Sequence, residues 1–192
     1  MQTLHGIRFL SVARVDGMQL GLDARWLDAR GLGLLVLLML ATMTSQLGQD
    51  AGSPLWMQLC TAALIVPAIM LTSLGHELGH VLASRLAGLS VRAVVIAPQG
   101  GVTIRAGSDA PAVNFFTALA GPVANAVLGM TCVWLVVVLP LEGPLNTFFI
   151  ELAALQLLTA AANLLPLGAM DGHRMLHAWR AAAALPALVA AE

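Results

Sequence analysis

Long uncharged runs alternate along this chain with short clusters of arginine and aspartate. Residues 31–49, 51–75, 110–141 and 152–170 contain no Asp, Glu, Lys or Arg. Each run is close to or longer than the ~20 residues a helix needs to cross about 30 Å of hydrocarbon, so four membrane-crossing helices are the simplest reading. The segments between them follow a different pattern. Val91-Arg92-Ala93-Val94-Val95-Ile96 is β-branched, Pro98-Gln99-Gly100-Gly101 is turn chemistry, and Val102-Thr103-Ile104-Arg105 resumes the β pattern, which predicts a hairpin. Ile7 to Val15 and Met18 to Leu22 predict a second, weaker pair of short strands. The Ala-rich end from Ala181 is helix-prone. The expected fold is an all-α polytopic membrane protein of about four transmembrane helices, with a short membrane-associated β-hairpin and small N-terminal strands. It forms one domain over 1–192: a cytoplasmic segment 1–30, a transmembrane core 31–170 and a cytoplasmic-side C-terminal helix 171–192.

Composition makes lipid the main solvent of this chain. Of 192 residues, 59% are hydrophobic and 10% charged, against roughly 45–50% and about 25% in soluble domains. Nine basic residues against ten acids leave no excess to neutralise phosphates, so nucleic acid is not an expected partner. Cys60 and Cys132 lie inside apolar runs, as small hydrophobes rather than a disulfide framework or a metal site. The first thirty residues carry four arginines and three aspartates before any long apolar run. They lack the regions of a signal peptide, and no segment is expected to be removed.

The basic residues also orient the chain. All nine are arginine. Arg8, Arg14, Arg25 and Arg30 precede the first span, Arg85, Arg92 and Arg105 lie between the second and third, and Arg174 and Arg180 follow the fourth. Positive charge is retained in the cytoplasm, so both termini are expected there, in a bacterial plasma membrane.

Candidate chemistry begins where the second span ends, at His76-Glu77-Leu78-Gly79-His80. On a helix, residues four apart share a face, so the two imidazoles can hold one metal ion while Glu77 reaches water beside it. Burying His, Glu and His in an apolar helix costs several kcal/mol without compensation, and ionisable groups in spans mark function. Catalytic zinc takes three protein ligands and keeps one position open. The third ligand is expected from Asp171, beyond the fourth run, where Pro166 and Gly168 allow the helix to break. Glu151 and His173 compete with it. Glu151 lies near the non-cytoplasmic end, roughly 30 Å from Asp171 along a continuous helix, whereas Asp171 matches the depth of His76 and His80. His173 and His177 are also spaced four apart, but beside Arg174 in an interfacial segment they need no metal to be satisfied.

With His76-Glu77-Leu78-Gly79-His80 on one span and Asn163-x-x-Pro166-x-x-x-x-Asp171-Gly172 on a later one, the chain resembles the site-2 protease family of intramembrane zinc metalloproteases. The hairpin with Gly100-Gly101 is similar to that family's membrane-associated β segment. Gly121-Pro122-Val123-Ala124-Asn125 is similar to its Gly-x-x-x-Asn element, whereas Gly168 stands where many members have a second proline. The resemblance implies hydrolysis of a peptide bond in or near a transmembrane segment of a membrane-protein substrate, in regulated intramembrane proteolysis. Zn2+ would be held by His76, His80 and Asp171, with Glu77 as general base. Asn125 and Asn163 would bind substrate backbone or the developing oxyanion, or else hydrogen-bond between helices. Gly100 and Gly101 would let an extended substrate pair with the hairpin edge, unless the hairpin is a plain cytoplasmic turn. The implied partners are the substrate and the lipid bilayer, with a regulatory membrane partner or a homo-oligomer left open. Two rival readings remain: a catalytically silent membrane metal-binding or scaffold protein, and a CAAX-type membrane zincin with a glutamate as third ligand.

Overall fold

The computed structural model describes residues 2–4, 7–49, 52–97, 100–108 and 110–189. Strands β1 (Gln2–Leu4), β2 (Ile7–Val15) and β3 (Met18–Asp23) lead through a short 3-10 turn, Ala24–Leu27, into helix α1 (Ala29–Gln49). Helix α2 (Leu55–Leu86) is followed by the hairpin β4 (Val91–Ala97) and β5 (Gly100–Arg105), then by α3 (Pro111–Val138), α4 (Gly143–Asn163) and α5 (Asp171–Val189). Helices α1 to α4 are each long and apolar enough to cross a membrane, and the protein is an integral membrane protein.

Local chemistry explains the boundaries. The Asp28 carboxylate accepts from the backbone N–H groups of Arg30 and Gly31 at 2.9 and 2.8 Å, capping α1. Pro111 occupies the first turn of α3 and Pro144 that of α4, where a missing N–H is harmless. Two boundaries differ from the charge-based expectation. Helix α2 runs unbroken through the HELGH motif to Leu86, so the histidines lie inside the helix rather than at its end. Helix α4 begins at Gly143 and ends at Asn163, so Glu151 falls within the span and residues 164–170 form the break. A single carboxylate does not stop a helix: Glu151 hydrogen-bonds Ser45 of α1, and its Oε2 is buried without a partner among the described residues.

The predicted strands do not stay as two separate pairs. They form one five-stranded sheet in the order β1-β2-β3-β4-β5, antiparallel except where β3 runs parallel to β4 from Gln19↔Ala93 to Leu22↔Ile96. Asp16 and Gly17, at φ 47° and 77°, make the two-residue turn between β2 and β3, the backbone that Asp-Gly favours in twisted hairpins. The Pro98-Gln99 part of the second predicted turn lies outside the described residues.

Burial along the sheet ties it to α2. Met18, Val94 and Val81 form a buried cluster with Leu20, Leu74 and Val91 packed around it, and the Trp26 indole N–H donates to the Ile96 carbonyl at 3.0 Å. This packing holds the β4–β5 hairpin against the motif-bearing part of α2. β5 is the last strand of the sheet, and its outer edge faces no other described strand.

Candidate metal centre

Helix α2 presents His76 and His80 one turn apart, with ring centroids 4.8 Å apart and the planes nearly perpendicular. Asp171, the first residue of α5, meets them. Its Oδ2 lies 2.9 Å from His76 Nε2 and 3.3 Å from His80 Nε2, and the two Nε2 atoms are 3.2 Å apart. All three residues are buried, and they form the one His/Cys/Asp/Glu cluster of metal-binding geometry among the described residues.

The orientation of His80 is set from α3. Its Nδ1 lies 2.7 Å from the Thr117 carbonyl, and a carbonyl only accepts. Nδ1 therefore carries the proton, and Nε2 of the neutral ring points its lone pair at Asp171 and His76. Lone pairs from His80 Nε2, His76 Nε2 and Asp171 Oδ2 that meet at one point need a proton or a cation between them. Ligands about 2.0–2.1 Å from a tetrahedral zinc stand roughly 3.3 Å from each other, and the observed separations of 2.9, 3.2 and 3.3 Å fit three such corners. Two imidazoles and a carboxylate are a donor set that suits zinc with a fourth position open.

Two glycines make the approach of these elements possible. A Cβ at Gly121 of α3 would stand 2.6 Å from His76 Nε2 and would also run into the His80 ring. A Cβ at Gly172 would collide with the backbone at Leu164 and Leu165, so the glycine after Asp171 lets the first turn of α5 seat on the end of α4. Between these helices, Gly168 has φ 51°. Proline, fixed near −65°, has no access to that region.

Glu77 is buried beside the cluster, and its Oε2 accepts from the Thr103 hydroxyl of β5 at 2.6 Å. Gly101 lies against the same side chain, where a Cβ would meet Glu77 Cδ and Oε1 at 2.6 Å. Its lack of a side chain therefore makes room for Glu77, whereas Gly100 meets a backbone demand at φ 118°. Asn125, one turn along α3 from Gly121, is fully buried, and neither side-chain atom has a hydrogen-bond partner among the described residues. Asn163 donates its amide to the Thr159 carbonyl of its own helix at 3.0 Å.

Neither Glu151 nor His173 joins the cluster. The rings of His173 and His177 lie 6.2 Å apart without a third ligand group among the described residues. Sequence reasoning did not reach the supporting shell. The Thr117 carbonyl is backbone and leaves no trace in residue type. The Thr103 hydroxyl and the Arg174 guanidinium, whose Nη1 is 3.5 Å from Asp171 Oδ1, carried the available signals: a polar residue inside a β-branched strand and an arginine three after the aspartate.

Comparisons with known proteins agree with this geometry. Residues 54–171 match the peptidase M50B-like family. "Putative zinc metalloprotease sll0528" of Synechocystis sp. is 31% identical over 150 residues, covering 72% of this chain and 38% of that protein. "Putative zinc metalloprotease Rip3" of Mycobacterium tuberculosis is 36% identical over 121 residues, covering 59% of this chain and 31% of that protein. The chain thus spans well under half the length of these curated relatives. In fold it is similar to the site-2 protease from Methanocaldococcus jannaschii, with a TM-score of 0.62, 19% identity, and coverage of 89% of this chain and 71% of that one. The family match extends from the start of α2 to Asp171 and so takes in every residue of the cluster: the chain belongs to the peptidase M50B-like, or site-2 protease, family.

Proposed function

We propose that this chain is the core of an intramembrane zinc metalloprotease that hydrolyses a peptide bond in or near a transmembrane segment of a membrane-protein substrate. The observation that carries the proposal is the convergence of His76, His80 and Asp171 from two separate helices, with Glu77 beside them. The relatives named as zinc metalloproteases support zinc as the metal. His76, His80 and Asp171 would hold the zinc, which would supply Lewis acidity toward a water and a carbonyl. Glu77 takes the water's proton and returns it to the leaving amine, and the Thr103 hydroxyl fixes which carboxylate oxygen is free to do so. The Thr117 carbonyl keeps His80 in the tautomer that ligates through Nε2.

Asn125 carries a fully buried neutral amide with neither atom hydrogen-bonded among the described residues, which favours a role toward a substrate carbonyl or the oxyanion. The bond from Asn163 to Thr159 favours a structural role for that residue. A transmembrane substrate must unwind before attack, and the outer edge of β5 can pair with the unwound segment, alongside Gly100 and Gly101. The arginine distribution supports cytoplasmic termini, and the bacterial relatives support a bacterial plasma membrane.

Co-expression with a tagged single-span substrate tests the proposal. Wild type should cleave it, and Glu77→Gln should block cleavage while the purified variant keeps its zinc. Equal behaviour of the two proteins across a substrate panel would favour the silent-scaffold reading instead.

A further inference from the structure

Beside His80 a cavity of about 330 Å³ opens between β5, α3 and α5. Its polar wall is built from Thr103, Arg105, Asn114, Thr117, Arg174 and His177. Arg105 is half-buried there and is held by neutral groups only. Nη2 donates to Thr117 Oγ1 at 2.9 Å and Asn114 Oδ1 at 3.4 Å, and Nη1 donates to the Ala106 carbonyl at 3.1 Å. Among the described residues, no carboxylate lies within ion-pair distance of it. The second guanidinium, Arg174, reaches one oxygen of Asp171 at 3.5 Å, and the other oxygen of that carboxylate faces the two imidazoles. Burial pushes the pKa of Arg105 down, and the like charge of Arg174 adds to the shift. Arg105 without a carboxylate partner among the described residues, in one cavity with Arg174, whose Asp171 partner is shared with the two imidazoles, leaves positive charge there that is complementary to an anion.

We propose that this cavity is a carboxylate subsite in which Arg105 and Arg174 bind an acidic side chain of the substrate, next to the bond that is cut. The inference rests on the protease reading above and names a feature of its substrate. The register of β5 supports a peptide as the source of the carboxylate. Gly101 and Thr103 point at Glu77, and Arg105, next on the same face, points into the cavity. A substrate strand laid along β5 advances about 3.3 Å per residue, so the side chain beside Arg105 belongs to the residue two positions, or about 7 Å, from the one opposite Thr103. An anionic lipid headgroup has the same charge but does not follow that register.

The test uses single-span host peptides of Ala and Leu with a Gly-rich break, in which one Glu is walked through successive positions and compared with Gln at each. Binding is measured to the full-length Glu77→Gln protein in neutral detergent micelles, and cleavage is measured with wild type. At one position the Glu peptide should bind about tenfold more tightly than its Gln counterpart. That ratio should fall to about one in the Arg105→Gln background. In the Arg105→Glu background the preference should reverse toward a Lys peptide. If Arg105 only braces α3, its replacement will weaken Glu and Gln peptides alike and leave the ratio intact, which overturns the proposal. It is equally overturned if no position prefers Glu. The same holds if Arg105→Gln changes only the response to phosphatidylglycerol against phosphatidylcholine vesicles, the signature of a headgroup. Cleavage with an unchanged ratio sinks the subsite and spares the protease reading. An Arg105-dependent binding preference without cleavage by wild type does the reverse.

Discussion

Replacing Gly121 by alanine tests the geometry of the metal centre without removing any ligand. The added methyl would stand 2.6 Å from His76 Nε2 and 2.5 Å from His80 Cε1, where heavy atoms are comfortable at about 3.5 Å. One or both rings must therefore retreat by about 1 Å. They have little freedom to do so, because His80 is bonded to the Thr117 carbonyl on the same helix that carries residue 121. Disturbing the groups that orient metal ligands typically lowers metal affinity by about 10–100-fold, and a 1 Å misplacement at a reacting centre costs about 10²-fold in rate. Zinc affinity, measured by competition with a chromophoric chelator in detergent, should fall into that range, and cleavage should fall at least as far. Gly33→Ala, on α1, serves as the control, since its methyl would meet nothing within 4 Å and should leave zinc affinity unchanged. Wild-type zinc affinity and wild-type cleavage in Gly121→Ala would refute the placement of the two imidazoles against α3.

Other residues give separable outcomes. Thr103→Val removes the hydroxyl that donates to Glu77 at 2.6 Å and should lower kcat about tenfold with zinc content intact, read by cleavage kinetics alongside metal analysis. Asp171→Ala should abolish zinc retention and Glu151→Ala should preserve it; the opposite result would favour the glutamate-ligand rival. Asp23 makes a pH-dependent contribution on the sheet side. Its pKa is lowered, first by the Arg25 side chain bonded at 2.8 and 3.0 Å, against the opposing effect of burial. The unfolded chain therefore binds the proton more readily, so this stabilisation is present above the ordinary aspartate range and is lost as pH falls through the lowered folded value. Arg25 is 52% exposed, so the contribution is at most about 1 kcal/mol. Thermal melts between pH 6 and pH 3 should show a shallower acid loss in Asp23→Asn, the pH range being an approximate bracket around the ~3.9 reference value.

What the sequence made legible follows its physics. Membrane spans are apolar by necessity, so the uncharged runs located four helices, and the cost of burying His76, Glu77 and His80 in one of them marked the site. Depth then selected Asp171 over Glu151, because the break around Gly168 brings the carboxylate to the level of the imidazoles. Charge does not mark the ends of α2 and α4, since Glu77 lies inside α2 and Glu151, bonded to Ser45, lies inside α4. The joining of β3 to β4 was hidden, since strand pairing between residues 19–22 and 93–96 leaves no periodic signature in either segment. The facing of Arg105 and Arg174 across one cavity was hidden for the same reason: it exists only once α5 has docked beside β5.

The parallel seam between β3 and β4 also governs how the molecule is made. Gln19 has to wait for Ala93 before it can complete its ladder, a delay of roughly 4–15 s at about 5–20 residues per second of translation. Throughout that interval the β3 edge of the β2–β3 ribbon lacks its β4 partner while α1 and α2 are being made. A ribosome stall shortly before β4 would prolong that exposure of an unpaired strand edge.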